Sequence, residues 1–490
     1  MAVNWAKYPE KPYKHQVDIV EASWQKPHWG LFCEMGVGKS FMVIATVAEL
    51  YLSGKVDAVL YIAKKGEYLN FPVYEVPRHM PKNLEYELHN YTGYSSTKQR
   101  DVIKSAITKT NKLRIFSMNV ESVRAGRGFQ IAEAFCKSSK KLMIIVDEST
   151  ILKDHRSSQH KALVTLRDYA DYARIMTGTL ITRTPVDIFN QARFLNRMAM
   201  GVKTLTAFRA MYEEQETVFL GNRRFQKTVG VKNVDKFRRQ IRTFASVVRK
   251  ADCLDLPEKI YAKKMVPLTL EQAKLYQEFV DYSIAEIDGE FVEAVNALSV
   301  MSKLHQIVCG QVRLPDGTYR HVQNHRASYL ADFTEEVLEN QSKIVIWSHF
   351  RLATQKLHEE LESRGLGVVW LQAGLTSEER SELIAEFKTD KSAQVFLGNP
   401  ASSGFGITLT EASTMCYYSN SDNFEHRLQS EDRIHRIGQT QVCNYYDFHT
   451  PGTVEDAILA RTKTKGEVRD SLMPRDDFLR LIALRQPLVD

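Results

Sequence analysis

The sequence predicts an α/β protein: two lobes, each built on a parallel sheet, with a largely helical insertion between them. Three observations lead there. Short apolar runs recur with helical stretches between them, which is the pattern of βαβ units and of parallel sheets covered on both faces. The runs come in two series, the second in the same style as the first. Between the series, roughly from 190 to 335, strand signals are few and helical periodicity takes over.

In chain order, "VDAVLYIA" (56–63), "LRIFSM" (113–118), "KLMIIVDE" (141–148) and "RIMTGT" (174–179) read as buried strands of the first lobe. The stretch 269–308 has the periodicity of helices. "KIVIWS" (343–348), "GVVWL" (367–371), "QVFLGN" (394–399), "TMCYYS" (414–419) and "NYYDFH" (444–449) are the strands of the second lobe. The tail after "PGTVEDAILART" reads as an amphipathic helical brace. The expected organisation is therefore lobe one over 1–200, a helical insertion and linker over 201–335, lobe two over 336–462 and the brace over 463–490.

The chain has 490 residues, 43% of them hydrophobic and 26% charged, which leaves room for more than one full core. No apolar run approaches the ~18 residues of a membrane span, and the start lacks the apolar stretch of a signal peptide. The six cysteines are scattered with no C-x-x-C pair, which argues against a zinc ribbon or a disulfide framework and fits a reducing cytoplasm. The net charge of +7 permits a polyanionic partner. Much of the excess is local: 221–250 carries ten Lys or Arg against a single acid, Asp235. Such a run is either a solvated face or a nucleic-acid contact.

"CEMGVGKS" (33–40) follows a short strand candidate, "WGLF", and precedes the helical "FMVIATVAELYL", the context that a phosphate loop requires. Gly36 and Gly38, with Val37 between them, let backbone N–H groups approach phosphates. Lys39 would reach the β and γ phosphates and Ser40 would bind Mg²⁺. The full G-x-x-x-x-G-K-S pattern is not met, because Cys33 stands where the first Gly would be. A second site supports the loop: the apolar strand "LMIIV" ends in Asp147-Glu148. Two acids there are costly unless used. Asp147 is placed to hold Mg²⁺ and Glu148 to orient and deprotonate a water. Together these predict hydrolysis of ATP or GTP.

"LQSEDRIHRIGQ" (428–439) sets Arg433 and Arg436 three residues apart, which on a helix is one face. They form either a solvated charged face or a pair of donors aimed at a phosphate.

With these residues in hand, the chain resembles the Swi/Snf-type ATPases of helicase superfamily two, in a minimal phage or bacterial form. "PYKHQ" (12–16) is similar to the adenine-side glutamine motif, "CEMGVGKS" to motif I, "DEST" (147–150) to motif II and "MTGT" (176–179) to motif III. "VGVKNVDKFRRQIRTFASVVRKADCLDLPEK" (229–259) resembles the segment leading out of the first lobe. "KIVIWSHF" (343–350) and "LQAGLTSEER" (371–380) resemble motif IV and the element after it. "NPASSGFGITLTEAS" (399–413) resembles motif V, "QSEDRIHRIGQ" motif VI and "TVEDAILAR" (453–461) the stretch that follows. The resemblance implies two RecA-like lobes that close on ATP and translocate along duplex DNA. It makes Gln16 an adenine contact, Gly406 a further nucleotide contact, and Arg433 and Arg436 arginine fingers supplied by the second lobe, positioned by Gln429 and Asp432. Thr150 replaces a His often found in motif II, Leu180 replaces the usual Pro after motif III, and Arg183 stands near an expected Asn. These departures touch coupling more than phosphate chemistry.

On the DNA side the resemblance offers Lys64 and Lys65, Ser117, Asn119, Ser348, Ser402 and Ser403, groups that suit backbone phosphates and carry no sequence information. His15, His349, His426, His435 and His449 show no ligand spacing and read as structural. Trp347 and Tyr417 read as core. The expected activity is an ATP- and Mg²⁺-dependent, monomeric motor on double-stranded DNA, with no room for the family's targeting appendages and no membrane partner. A strand-separating DNA or RNA helicase and a nucleic-acid clamp with little turnover are the alternatives.

Overall fold

The computed structural model describes residues 3–460 except 66–67, 94–95, 125, 179–184, 221–222, 288–293, 315, 404–406 and 422. Side chains at 218–220, 223, 225, 227, 229, 282–287, 294–299, 377–378, 402–403 and 424 are also outside the description. The chain divides into two compact units, the first running from Met1 to Leu254 and the second beginning at Asp255.

In the first unit the strands are β1 (His28–Cys33), β2 (Ala58–Ala63), β3 (Tyr86–Asn90), β4 (Leu113–Asn119), β5 (Leu142–Val146), β6 (Tyr172–Thr177), β7 (Glu213–Leu220), β8 (Arg223–Val231) and β9 (Ala245–Val248). Seven of them form one sheet in the order β3-β4-β2-β5-β6-β1-β9, and every pairing in it is parallel. The apolar runs cover both faces, as parallel strands require. Ala58, Leu60 and Ile62 of β2 enter one hydrophobic cluster with Ile144 and Val146 of β5. Val59, Tyr61 and Ala63 enter another, on the opposite face, with Met143 and Ile145. That second face receives helix α2 (Lys39–Leu52), whose residues from Phe41 to Leu50 are all buried. A helix apolar nearly all round is a core helix, and its start is fixed accordingly.

The second unit contains β10 (Lys259–Met265), β11 (Gln311–Arg313), β12 (Tyr319–His321), β13 (Ile344–Trp347), β14 (Val368–Leu371), β15 (Val395–Gly398), β16 (Thr414–Tyr417) and β17 (Cys443–His449). Its parallel sheet has the order β10-β17-β16-β13-β15-β14. Ile344 and Ile346 face one cluster, Val345 and Trp347 the other. Trp347 and Tyr417 are core residues, as expected. The fold class read from the sequence, two parallel-sheet α/β lobes, is the one the structure has.

Between the two series the arrangement differs from a largely helical insertion over 201–335. Helices do occupy Leu270–Ile287, Ala294–Val308 and Arg326–Leu338. Ahead of them, however, β7 and β8 pair as an antiparallel hairpin, and β9 joins the first sheet beside β1. The first unit therefore extends to Leu254, because the edge of β1 is completed only by a strand some 210 residues downstream. The expected brace over 463–490 lies outside the described residues.

A buried polar clasp closes the second unit. Arg326 donates to both carboxylate oxygens of Glu455 at 2.7 Å and to Thr450 Oγ1 at 2.9 Å. Among the described residues, no helix is long and apolar enough to cross a membrane.

Candidate nucleotide-binding site

In a parallel α/β sheet, ligands collect beyond the carboxyl ends of the strands. Three neighbouring strands of the first unit, β5-β6-β1, deliver the predicted residues to that edge. After β1 the chain turns through Gly36 (φ 83) and Gly38 (φ 86), then enters α2 at Lys39. At Gly38 two constraints coincide. The backbone is left-handed, and a Cβ there would stand 2.1 Å from Gln16 Nε2. Lys39 Nζ donates to Cys33 O at 2.8 Å and Glu34 O at 3.2 Å, so the ammonium is held over the loop. Ser40 is the second residue of the helix, half-buried beside it.

Gln16 sits in helix α1 (Lys14–Ser23) and its amide is spent on protein groups. Nε2 donates to Val37 O at 3.2 Å, while Oε1 accepts from Tyr13 N at 3.0 Å. His15 Nε2 lies 2.9 Å from the same Val37 carbonyl. The glutamine motif thus supports the loop from behind.

After β5 come the two acids. Asp147 Oδ2 accepts from Tyr61 Oη at 2.5 Å, and Oδ1 accepts from Glu148 N at 2.8 Å. Burial raises the Asp147 carboxyl above the usual carboxylate range; the Tyr61 hydrogen bond opposes this, the neighbouring Glu148 charge adds to it, and Lys39 opposes it. Glu148 has φ 46 and ψ 64, left-handed backbone that costs a non-glycine residue about 1 kcal/mol or more. Its side chain is buried, and Oε1 accepts from Thr177 Oγ1 at 2.7 Å and Thr150 Oγ1 at 3.1 Å. Thr177 ends β6, and Gly178 after it packs on the loop: a Cβ there would meet Met35 Cγ at 3.0 Å and Lys39 Nζ at 3.7 Å. The loop is also tied to β9, with Glu34 N donating to Val248 O and Lys250 N donating to Glu34 Oε2. Sequence reading missed Glu34, Tyr61 and Thr177 as members of this assembly. Glu34, inside "CEMGVGKS", and Thr177, inside "MTGT", lay within recognised motifs, whereas Tyr61 carried no signal beyond its strand.

In the second unit, Arg433 and Arg436 are not on a helix. The helix Phe424–Glu431 ends before them, at C-cap Asp432, and both arginines lie in the turn that follows. The turn is held from outside: Leu409 N donates to Arg433 O, and Gln439 Nε2 donates to Ala412 O and Ile434 O. The two guanidinium groups nevertheless point to one place. Arg433 Nη1 donates to Ile407 O at 3.2 Å and Arg436 Nη1 to the same oxygen at 3.3 Å. Asp432 lies 3.9 Å from Lys259. Gln429 is buried, and neither amide atom has a hydrogen-bond partner among the described residues, so no bond from it to an arginine is present.

Three of the expected DNA contacts have hydrogen-bond partners within the protein. Ser117 is fully buried and its hydroxyl donates to Tyr68 O at 2.6 Å. Ser348 is fully buried and its hydroxyl accepts from Thr354 Oγ1 at 2.8 Å. The Asn119 amide caps the short helix Val120–Val123 by accepting from Ser122 N. Lys64 and Lys65, half-buried and exposed, follow β2 at the same sheet edge as the loop. Gly406, Leu180 and Arg183, and the side chains of Ser402 and Ser403, lie outside the described residues.

Residues 14–312 match the family model described as the SNF2-related domain, and 328–438 match the helicase conserved C-terminal domain. The chain belongs to the SNF2-related family. Its relatives include the uncharacterized ATP-dependent helicase MG018 of Mycoplasma genitalium, 24% identical over 92% of this chain and 41% of that one. The ATP-dependent DNA helicase DDM1 of Arabidopsis thaliana is 22% identical over 93% of this chain and 60% of that one. This SNF2-related chain thus spans about half the length of the relatives it matches. Among solved structures, the Sulfolobus solfataricus SWI2/SNF2 ATPase core in complex with dsDNA aligns over 98% of this chain and 99% of that one, at 20% identity and a TM-score of 0.42.

Proposed function

We propose that this SNF2-related chain is a DNA-dependent ATPase that moves along duplex DNA without fully separating the strands. The reading rests on one observation above all. Within a chain of this family, a glycine loop with Lys39 and the acid pair Asp147-Glu148 converge at one edge of a parallel sheet. The names of the relatives, ATP-dependent helicases, support ATP as the nucleotide.

In this reading Lys39 leaves the Cys33 and Glu34 carbonyls for the β- and γ-phosphate oxygens, and the loop N–H groups cradle the rest. A water oxygen bonds to the γ-phosphorus as the bond from that phosphorus to the β,γ-bridging oxygen breaks. Glu148 receives the water's proton, and the products are ADP and inorganic phosphate. Arg433 and Arg436 neutralise charge on the leaving phosphoryl group. Ser40 and Asp147, a hydroxyl and a carboxylate, are oxygen donors of the kind Mg²⁺ prefers and would hold it, where it would screen the β and γ charges. Both halves belong to one chain, so a monomer suffices.

The duplex is read by its phosphates, through Lys65 and the exposed basic residues of 221–250. The test is phosphate release against single- and double-stranded DNA and RNA. Duplex DNA should stimulate most, and a rate indifferent to every nucleic acid overturns the proposal. One observation favours the strand-separating alternative: the β7–β8 hairpin, an element of the kind that can wedge a fork. Triplex displacement without opening of a forked duplex decides for translocation; forked-duplex opening that is lost when 216–227 is removed decides for the helicase.

A further inference from the structure

We propose that Thr150 is a positioning residue for hydrolysis: its hydroxyl, with that of Thr177, fixes the plane of the Glu148 carboxylate so that Oε2 alone is presented to the attacking water. The inference rests on Glu148 being the proton acceptor.

Two donors from different elements converge on one oxygen. Thr177 Oγ1 comes from the end of β6 and Thr150 Oγ1 from the 3₁₀ turn Ser149–Leu152, and both reach Glu148 Oε1, at 2.7 and 3.1 Å. One donor would leave the carboxylate free to swing about the axis of that bond. Two donors from separate directions remove this freedom. Among the described residues Oε2 has no hydrogen-bond partner, which leaves it as the oxygen available to a proton.

The turn that delivers Thr150 is itself clamped. Ser149 Oγ donates to Gln191 Oε1 at 2.6 Å, Gln191 Nε2 donates to Asp187 O at 3.0 Å, and Asn190 Nδ2 donates to Lys153 O at 2.5 Å. All three partners lie on the helix Val186–Leu195, so the position of Thr150 is set independently of the carboxylate it meets. Glu148, Thr150 and Thr177 are buried, where a hydrogen bond to a charged group gains in strength. The Thr at 150 is thus more than an absent His: it adds a second donor to the base.

Thr150→Val keeps the shape and removes the hydroxyl. Loss of one hydrogen bond to a charged acceptor predicts kcat lower by about tenfold or more, with KM for ATP within about twofold. Thr150→Ser, which keeps the hydroxyl, should recover most of kcat, and in a Glu148→Gln background Thr150→Val should change the residual rate by less than about twofold. If the valine variant does not fold, Thr150→Ala carries the same comparison. A valine variant with parental kcat, or a serine variant as impaired as valine, overturns the proposal. Undiminished hydrolysis by Glu148→Gln alone would instead remove the reading beneath it.

Discussion

Lys39 is the side chain on which the nucleotide reading is most exposed to test. Its ammonium already bridges two loop carbonyls, Cys33 O and Glu34 O. Lys39→Ala should abolish ATP turnover, and hydrolysis at the parental rate would refute the loop assignment. Arg436→Ala differs in kind. A group that acts as charge leaves contributes to the transition state and little to binding, so ATP affinity should stay within a few-fold while kcat falls by about 10³ or more; a loss mainly of affinity would contradict the finger role. Sequence spacing carried the convergence of Arg433 and Arg436 but not its cause. Three-residue spacing reads as a helix face, whereas the pair is aligned by a turn pinned to Ile407, Leu409 and Ala412. Ser117 and Ser348 show a related effect, their hydroxyls bonded inside the protein. A hydroxyl's partner is set by tertiary packing, here Tyr68 O and Thr354, and nothing in the local sequence announces it.

At the scale of elements, the phosphate loop and its strands were legible because apolar runs, glycines and a following helix are local signals. β9 was not, since a four-residue strand inside a basic run is recognised only by its pairing with β1. The hairpin β7–β8 carried a signal that was passed over: two runs with β-branched and aromatic residues around a Gly-Asn pair. The basic run resolves into more than one element. Its helix, Val234–Arg242, buries Phe237 and Ile241 and leaves Lys236, Arg239 and Arg242 exposed. That is either a solvated face or a phosphate-tracking one, and salt separates them. If Lys236 and Arg239 touch phosphates, Lys236→Gln with Arg239→Gln should flatten the dependence of log K for duplex DNA on log salt by about 1.8, some 0.9 per contact. An unchanged slope returns the helix to solvent.

The whole molecule is two units with separate cores, one pair of clusters flanking each sheet, and this predicts how it unfolds. Calorimetry should show two transitions, with ATP raising only the one that belongs to the Lys39 unit. The second transition is the one that the Arg326–Glu455 clasp controls. Glu455 is held well below the usual carboxylate range: burial raises it, but the Arg326 charge and hydrogen bonds, with His305 Nε2 3.3 Å away, outweigh that. A depressed folded-state pKa stabilises at pH above the unfolded value, near ~4.3, and the gain is lost as pH falls through the lower folded value. The second transition should therefore hold at neutral pH and weaken below about pH 4. Glu455→Gln strands a guanidinium that is about 1% exposed, and breaking a buried pair in this way costs roughly 3–5 kcal/mol. The variant's second transition should drop at pH 7 and vary less with acid, while the first stays in place. Adding Arg326→Met should recover much of the loss, because it is the unpaired charge and not the missing attraction that costs most. A Glu455→Gln protein whose first transition moves as far as its second would show that the two cores melt as one, and the clasp would then have no unit of its own to hold.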